Sequence, residues 1–105
     1  LKELWAEIDG RENAEVAGAS VVPELEGAIA DAVERATGES VQWVGIGRDI
    51  ALPIAVKTTE PEKTGVDRVL VTAAAYEQLE KACVVVSAGT ALTVNLCDES
   101  GALVG

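Results

Sequence analysis

Two short stretches hold residues whose types and spacing can do chemistry. The first is KTGVDR, residues 63–68, where Gly65, Asp67 and Arg68 stand at the point where a turn gives way to a helical pattern. Backbone N–H groups at a helix start, a carboxylate and a guanidinium can converge there on a small polar molecule. Thr64, three residues ahead of Asp67, also makes a capping-box-like arrangement that needs no catalytic role. The second stretch is SAGTALT, residues 87–93, with Gly89 at the bend between two valine-bearing runs and Thr90 and Thr93 beside it. Exposed N–H groups next to threonine hydroxyls are one way for a hairpin to cradle a phosphate. Turn chemistry and the strand preference of threonine account for the same residues without a ligand.

The elements that must position these stretches read as alternating helices and strands. Leu1, Leu4, Trp5 and Ile8 recur at helical spacing, so the first segment is the end of an amphipathic helix. AEVAGASVV (14–22) is a short valine-bearing strand, and PELEGAIADAVERATG (23–38) is a helix with Pro23 at its first position and Gly38 as its stop. Leu25, Ala28, Ile29, Ala32, Val33 and Ala36 form one stripe on that helix, a face expected to pack on a sheet. SVQWVGI (40–46) is the next strand, and strand-helix-strand order predicts a parallel pair. Residues 47–65 form a long loop or, alternatively, hold a short edge strand at 54–57. A helix from Val66 to about Lys81 buries Val66, Val69, Leu70, Ala73 and Ala74, and the Gly89 hairpin follows, then a turn at 99–101.

Composition removes several classes. With Asp and Glu outnumbering Lys and Arg to give a net charge of -10, and the few cations scattered, there is no basic patch for a phosphate backbone. No run approaches the roughly 20 apolar residues a membrane span needs, and the first residues lack a signal-peptide pattern, so a cytoplasmic location without nucleic-acid or membrane partners is expected. The absence of histidine excludes a conventional zinc site and a Cys-His nucleophile. Cys83 and Cys97 fall nearly opposite each other across a hairpin bent at Gly89, and reduced thiols are the expectation in a reducing compartment.

Taken together and in order, ASVVPELEGAIADAVERATG, LPIAVKTTEPEKTGVDR, AAAYEQ and VVVSAGTALTVNLCDESGALVG resemble the type III pantothenate kinases, also called the accessory-factor-like family. The likeness runs from Ala14 to Gly105, and its most specific parts are the Gly-Val-Asp-Arg tetrad and the Ala-Gly-Thr-Ala hairpin. It implies an α/β fold of the ribonuclease-H-like, actin-like sugar-kinase superfamily. Residues 1–81 would be the back part of the first domain, and 82–105 the opening hairpin of the second. The implied reaction moves the γ-phosphoryl group of ATP to the primary hydroxyl of pantothenate, the first step of coenzyme A biosynthesis. Mg2+ is implied, with a monovalent cation, K+ or NH4+, in many members.

By the same resemblance, Gly65, Val66, Asp67 and Arg68 hold pantothenate, Asp67 is the proton acceptor, and Gly89 and Thr90 meet ATP. A loose phosphoryl-transfer transition state asks little of a base, so positioning the hydroxyl is the main contribution expected of Asp67. Ser87 stands where the family usually has the aspartate that helps hold the monovalent cation, and Asn95 where another aspartate is common. The family's first phosphate hairpin would precede Leu1 and its adenosine-binding part would follow Gly105, so this stretch alone is expected to be inactive. The whole protein is expected to be a homodimer. The alternatives are a non-enzymatic regulatory accessory factor on the same fold and a plain α/β interaction domain.

Overall fold

A computed structural model describes all residues, 1–105, as a mixed α/β chain that divides into two compact units, Leu1–Ile50 and Ala51–Gly105. No helix is long and apolar enough to cross a membrane.

The first unit contains α1 (Lys2–Ala6), β1 (Val16–Gly18), α2 (Pro23–Thr37) and β2 (Val41–Trp43). The two strands pair in parallel, with Val16 opposite Val41 and Gly18 opposite Trp43, as a strand-helix-strand unit requires. Pro23 opens α2 where its missing N–H has no intrahelical partner, and Gly38 closes it at φ 77°. The apolar stripe of α2 is covered less than its pattern promises: Leu25 is 52% and Ile29 46% exposed, and no residue of the helix is buried. Arg48 crosses to Glu26 of α2 at 2.6 Å and lies over the Trp43 ring, 5.6 Å from its centroid. These tie the unit together at its surface.

The second unit contains α3 (Val66–Leu79) and the antiparallel hairpin β3 (Cys83–Ala88) and β4 (Leu92–Cys97). Leu103 extends this sheet: it bridges Cys97 on one side and Val56 on the other, with Lys57 N–H donating to its carbonyl at 2.8 Å. The segment expected as loop or edge strand therefore contributes a one-residue bridge at Val56. Val69 and Thr72 of α3, Asn95 and Cys97 of β4, and Ala102 and Leu103 are the buried residues at the centre. Ala74, read as part of the buried stripe of α3, is exposed, because the face that meets the hairpin runs through Val69 and Thr72.

The hairpin carries its polar side inward. Cys83, Val85, Ser87, Thr93, Asn95 and Cys97 are buried or half-buried, whereas Val84, Val86, Leu92, Val94 and Leu96 are exposed. The turn that follows β4 is held by Asp98, whose Oδ1 accepts from Ser100 N at 2.9 Å, Ser100 Oγ at 2.6 Å and Ala102 N at 3.0 Å. Those bonds keep the Asp98 carboxyl below its ordinary range, the Ser100 hydroxyl being the largest cause. Gly101 sits in this turn at φ 89°, where a Cβ would fall 2.8 Å from the Tyr76 ring.

Candidate functional site

The loop before α3 sets up the first half of the site. Pro61–Lys63 forms a short 3-10 turn, and Thr64 Oγ1 is engaged by Thr58 Oγ1 at 2.7 Å and by the Glu60 carbonyl at 3.3 Å. The expected capping box between Thr64 and Asp67 is therefore not formed. Gly65 is the N-cap instead and offers no side-chain bond. The N–H groups of Val66 and Asp67 thus remain without an acceptor at the positive end of a fourteen-residue helix. Asp67 is exposed and has no side-chain partner, so no structural contact accounts for its carboxylate.

Arg68, next along, is half-buried and turns toward the hairpin rather than toward Asp67. Its Nε donates to Asn95 Oδ1 at 2.5 Å, a contact spanning 27 residues. No carboxylate lies within ion-pair distance of the guanidinium. The backbone beneath it is fixed by Thr72, whose buried hydroxyl donates to the Arg68 carbonyl at 2.7 Å. Asn95 is fully buried, and its Nδ2 has no partner.

From Asn95 the inward face of the hairpin leads toward its tip by way of Thr93 and Ser87, which stand directly opposite each other. Gly89, Thr90 and Ala91 form the bend, all exposed, with Gly89 N–H donating to the Ala91 carbonyl at 3.1 Å. Gly89 is not among the positive-φ glycines, and a Cβ built on it meets nothing within 4 Å. Neither backbone strain nor a neighbouring atom of the chain requires glycine there. At strand spacing, about 3.3 Å per residue, the tip is on the order of 10–15 Å along β4 from Asn95.

Metal chemistry has little to work with in these residues. No group of three or more His, Cys, Asp or Glu side chains gathers anywhere in the chain. Ser87, the position expected to hold a monovalent cation, supplies one neutral oxygen with Thr93 across from it and no carboxylate beside it. Cys83 faces Cys97 directly, where a bend at Gly89 was expected to set them nearly opposite, and burial is the largest cause pushing the Cys97 thiol up. That makes it a poor nucleophile.

Asn95 and Thr72 are the members of this arrangement that the motifs did not identify with a role. A polar residue at a strand position facing a helix, in a chain where that helix carries an arginine in its first turn, is the signal for the first. A threonine four residues after that arginine is the signal for the second.

Comparison with known proteins covers the same ground. The chain matches the type III pantothenate kinase family over residues 1–105. A type III pantothenate kinase of Treponema pallidum (strain Nichols) is 38% identical over 86 residues, covering 82% of this chain and 32% of the relative. One from Persephonella marina is 33% identical over 82 residues, covering 78% of the chain and 31% of the relative. One from Anaeromyxobacter sp. (strain K) is 35% identical over 108 aligned positions, covering 100% of the chain and 41% of the relative. The chain therefore spans between 31% and 41% of the length of these curated relatives.

Proposed function

Because the chain belongs to the type III pantothenate kinase family, we propose that the whole protein transfers the γ-phosphoryl group of ATP to the primary hydroxyl of pantothenate, the entry step of coenzyme A synthesis. The unit 51–105 would supply both a vitamin end and a phosphate end of that site. The observation that carries this reading is that Arg68, in the first turn of α3, is bonded to Asn95 on the inward face of the hairpin whose tip is Gly89 and Thr90. The two motifs thereby belong to one packed unit.

The roles follow from what each group has free. The N–H groups of Val66 and Asp67 and the guanidinium of Arg68 attract the polar end and the carboxylate of pantothenate. Asp67, with no other contact, accepts a hydrogen bond from the reacting hydroxyl and holds it in line. The loose transition state needs that orientation more than it needs a strong base. Gly89 lets the phosphates of ATP approach the hairpin backbone, and the Thr90 hydroxyl donates to them. Magnesium accompanies ATP in the family's reaction, but this chain gathers no donor set for it, and Ser87 with Thr93 lacks the negative charge that a cation site draws on.

For the whole protein we assign the ribonuclease-H-like, actin-like sugar-kinase architecture, with the expected division between residues 81 and 82 falling inside the packed unit 51–105, so that α3 would pack on the hairpin that opens the second domain, a homodimeric state and a cytoplasmic location. Ser87 in place of a carboxylate favours one second reading, a regulatory relative on the same fold that binds without turnover. Amide chemical shifts of the whole protein test the site assignment. Pantothenate should move residues 65–68, and a non-hydrolysable ATP analogue should move residues 87–90. Movement of neither set on addition of its ligand overturns it, and binding of both without phosphoryl transfer selects the regulatory reading.

A further inference from the structure

We propose that Cys83 and Cys97 form an oxidation site for peroxides: Cys83 takes up the oxygen, and Cys97 closes the pair to a reversible disulfide before oxidation goes further. Neither thiol takes part in the phosphoryl transfer proposed above.

The register brings the two sulfurs together. Cys83 pairs directly with Cys97 across the antiparallel hairpin, both lie on its inward face, and both are free thiols. Leu96 and Asp98 direct their backbone N–H groups to the carbonyls of Gly105 and Ala102, away from β3. Successive residues of a strand alternate in this respect, so Cys97 turns its own N–H and carbonyl to Cys83, and Cα atoms in such a hydrogen-bonded pair stand about 5.5 Å apart. Disulfides favour Cα separations of about 5.5–6 Å. The Cβ atoms of paired strand residues lie about 4.5–5.5 Å apart, whereas a disulfide holds them at about 3.8 Å. Closure therefore draws the strands together by about 1 Å and leaves a strained bond, of the kind that cellular reductants reopen.

Exposure divides the roles. Cys83 is half-buried, whereas Cys97 is 4% exposed. Burial raises the Cys97 thiol most, followed by the charge of Cys83 and the hydrogen bond between the two, so Cys83 is the one to meet a peroxide first. Its thiolate attacks one peroxide oxygen, the O–O bond breaks, and the departing hydroxide takes up a proton to become water, leaving Cys83 as a sulfenic acid. That group is neutral, so the charge that helped to raise Cys97 is gone. The Cys97 sulfur then attacks the Cys83 sulfur, the S–O bond breaks, and the hydroxide leaves as a second water with the Cys97 proton. The peroxide has gained two electrons and the thiols have lost two. Because Cys97 is already opposite, this step needs no encounter and outruns a second peroxide that would carry Cys83 on to the sulfinic acid.

The test exposes the whole, reduced protein to a small molar excess of hydrogen peroxide, alkylates it under denaturing conditions and maps its peptides by mass spectrometry. The wild type should give a peptide cross-linked between Cys83 and Cys97, lighter by two hydrogens than its thiol halves, and dithiothreitol should restore both thiols. Cys97→Ser should instead carry Cys83 to the sulfinic acid, and Cys83→Ser should slow oxidation of Cys97 at least about tenfold. In the wild type, a Cys83 sulfinic acid beside an unreacted Cys97, or two thiols still open to alkylation, overturns the inference. Oxidation of Cys97 as fast in Cys83→Ser as in the wild type overturns it too. The wild-type map decides the matter by itself should either variant fail to fold.

Discussion

The two units of the chain are built on opposite terms. In residues 51–105 a helix and a hairpin enclose Val69, Thr72, Asn95, Cys97, Ala102 and Leu103, and half the candidate site hangs directly from that core through Arg68 and Asn95. In residues 1–50 no side chain of the helices or strands is buried, and Leu25, Ile29, Val21 and Val22 lie open. The parallel strand pair and half-buried residues such as Val16, Val33, Val41 and Trp43 hold it, with Arg48 to Glu26 at the surface. The difference teaches that the two units differ in interior: residues 51–105 enclose a small core, and the residues proposed to bind substrate are attached to it through Arg68 and Asn95.

Truncating the two units should break or sharpen this contrast most strongly. Leu103→Ala removes a side chain with 0% exposure and should destabilise the second unit by about 2–5 kcal/mol in urea unfolding. Ile29→Ala on α2, which is 46% exposed, should lower stability by less than about 1 kcal/mol. Equal losses would mean that the α2 stripe is covered in solution.

Glycine substitutions give a smaller effect of opposite sign in the two units. Gly101→Ala places a Cβ 2.8 Å from the Tyr76 ring at φ 89° and should destabilise by roughly 1–3 kcal/mol. Gly27→Ala, inside α2 with nothing within 4 Å of the new atom, should stabilise by about 0.5–1 kcal/mol. Thermal melts of the two variants check the pair. A stabilised Gly101→Ala would contradict the tight packing of that turn.

The smallest effect is in pH. Asp98 is held below the ordinary carboxylate range by Ser100 and the Ala102 N–H, and Glu26 by Arg48, chiefly through their hydrogen bond. A depressed folded value means that the stabilisation is complete above the unfolded value and is lost as pH falls through the lower folded one, so both contributions should fade below about pH 4. Salt separates them. At about 1 M the ion pair of Glu26 is screened, while the bonds of Asp98 to neutral donors persist. The acid limb of the urea midpoint should therefore flatten in Asp98→Asn at high salt and stay unchanged in Glu26→Gln.

Much of this arrangement was legible in the residues. Pro23 and Gly38 bracket α2 because each suits only one end of a helix, and the cysteines expected nearly opposite each other across a Gly89 bend pair directly because the bend is centred one residue on, at Thr90. The tetrad was placed at the start of α3, where it lies. What escaped was the buried polar centre. Counting apolar residues every three or four positions passes over Thr72, whose hydroxyl is satisfied within its own helix, and strict alternation along β4 does not say which face is inward. The Leu92, Val94 and Leu96 side is open, and the Thr93, Asn95 and Cys97 side meets α3. Thr64 misled because the helix starts one residue later than a capping box requires: Gly65 is the N-cap, and the Thr64 hydroxyl lies outside the helix, donating to the Glu60 carbonyl and bonded to Thr58 Oγ1.

The most direct measurement is transfer of label from γ-labelled ATP to pantothenate by the whole protein, beside an Asp67→Asn variant. We predict phosphorylated pantothenate from the wild type and a kcat/KM lower by about a hundredfold in the variant, the size of loss expected when a reacting hydroxyl is no longer held in line. Undiminished transfer by Asp67→Asn would contradict the placement of the reacting alcohol at the start of α3.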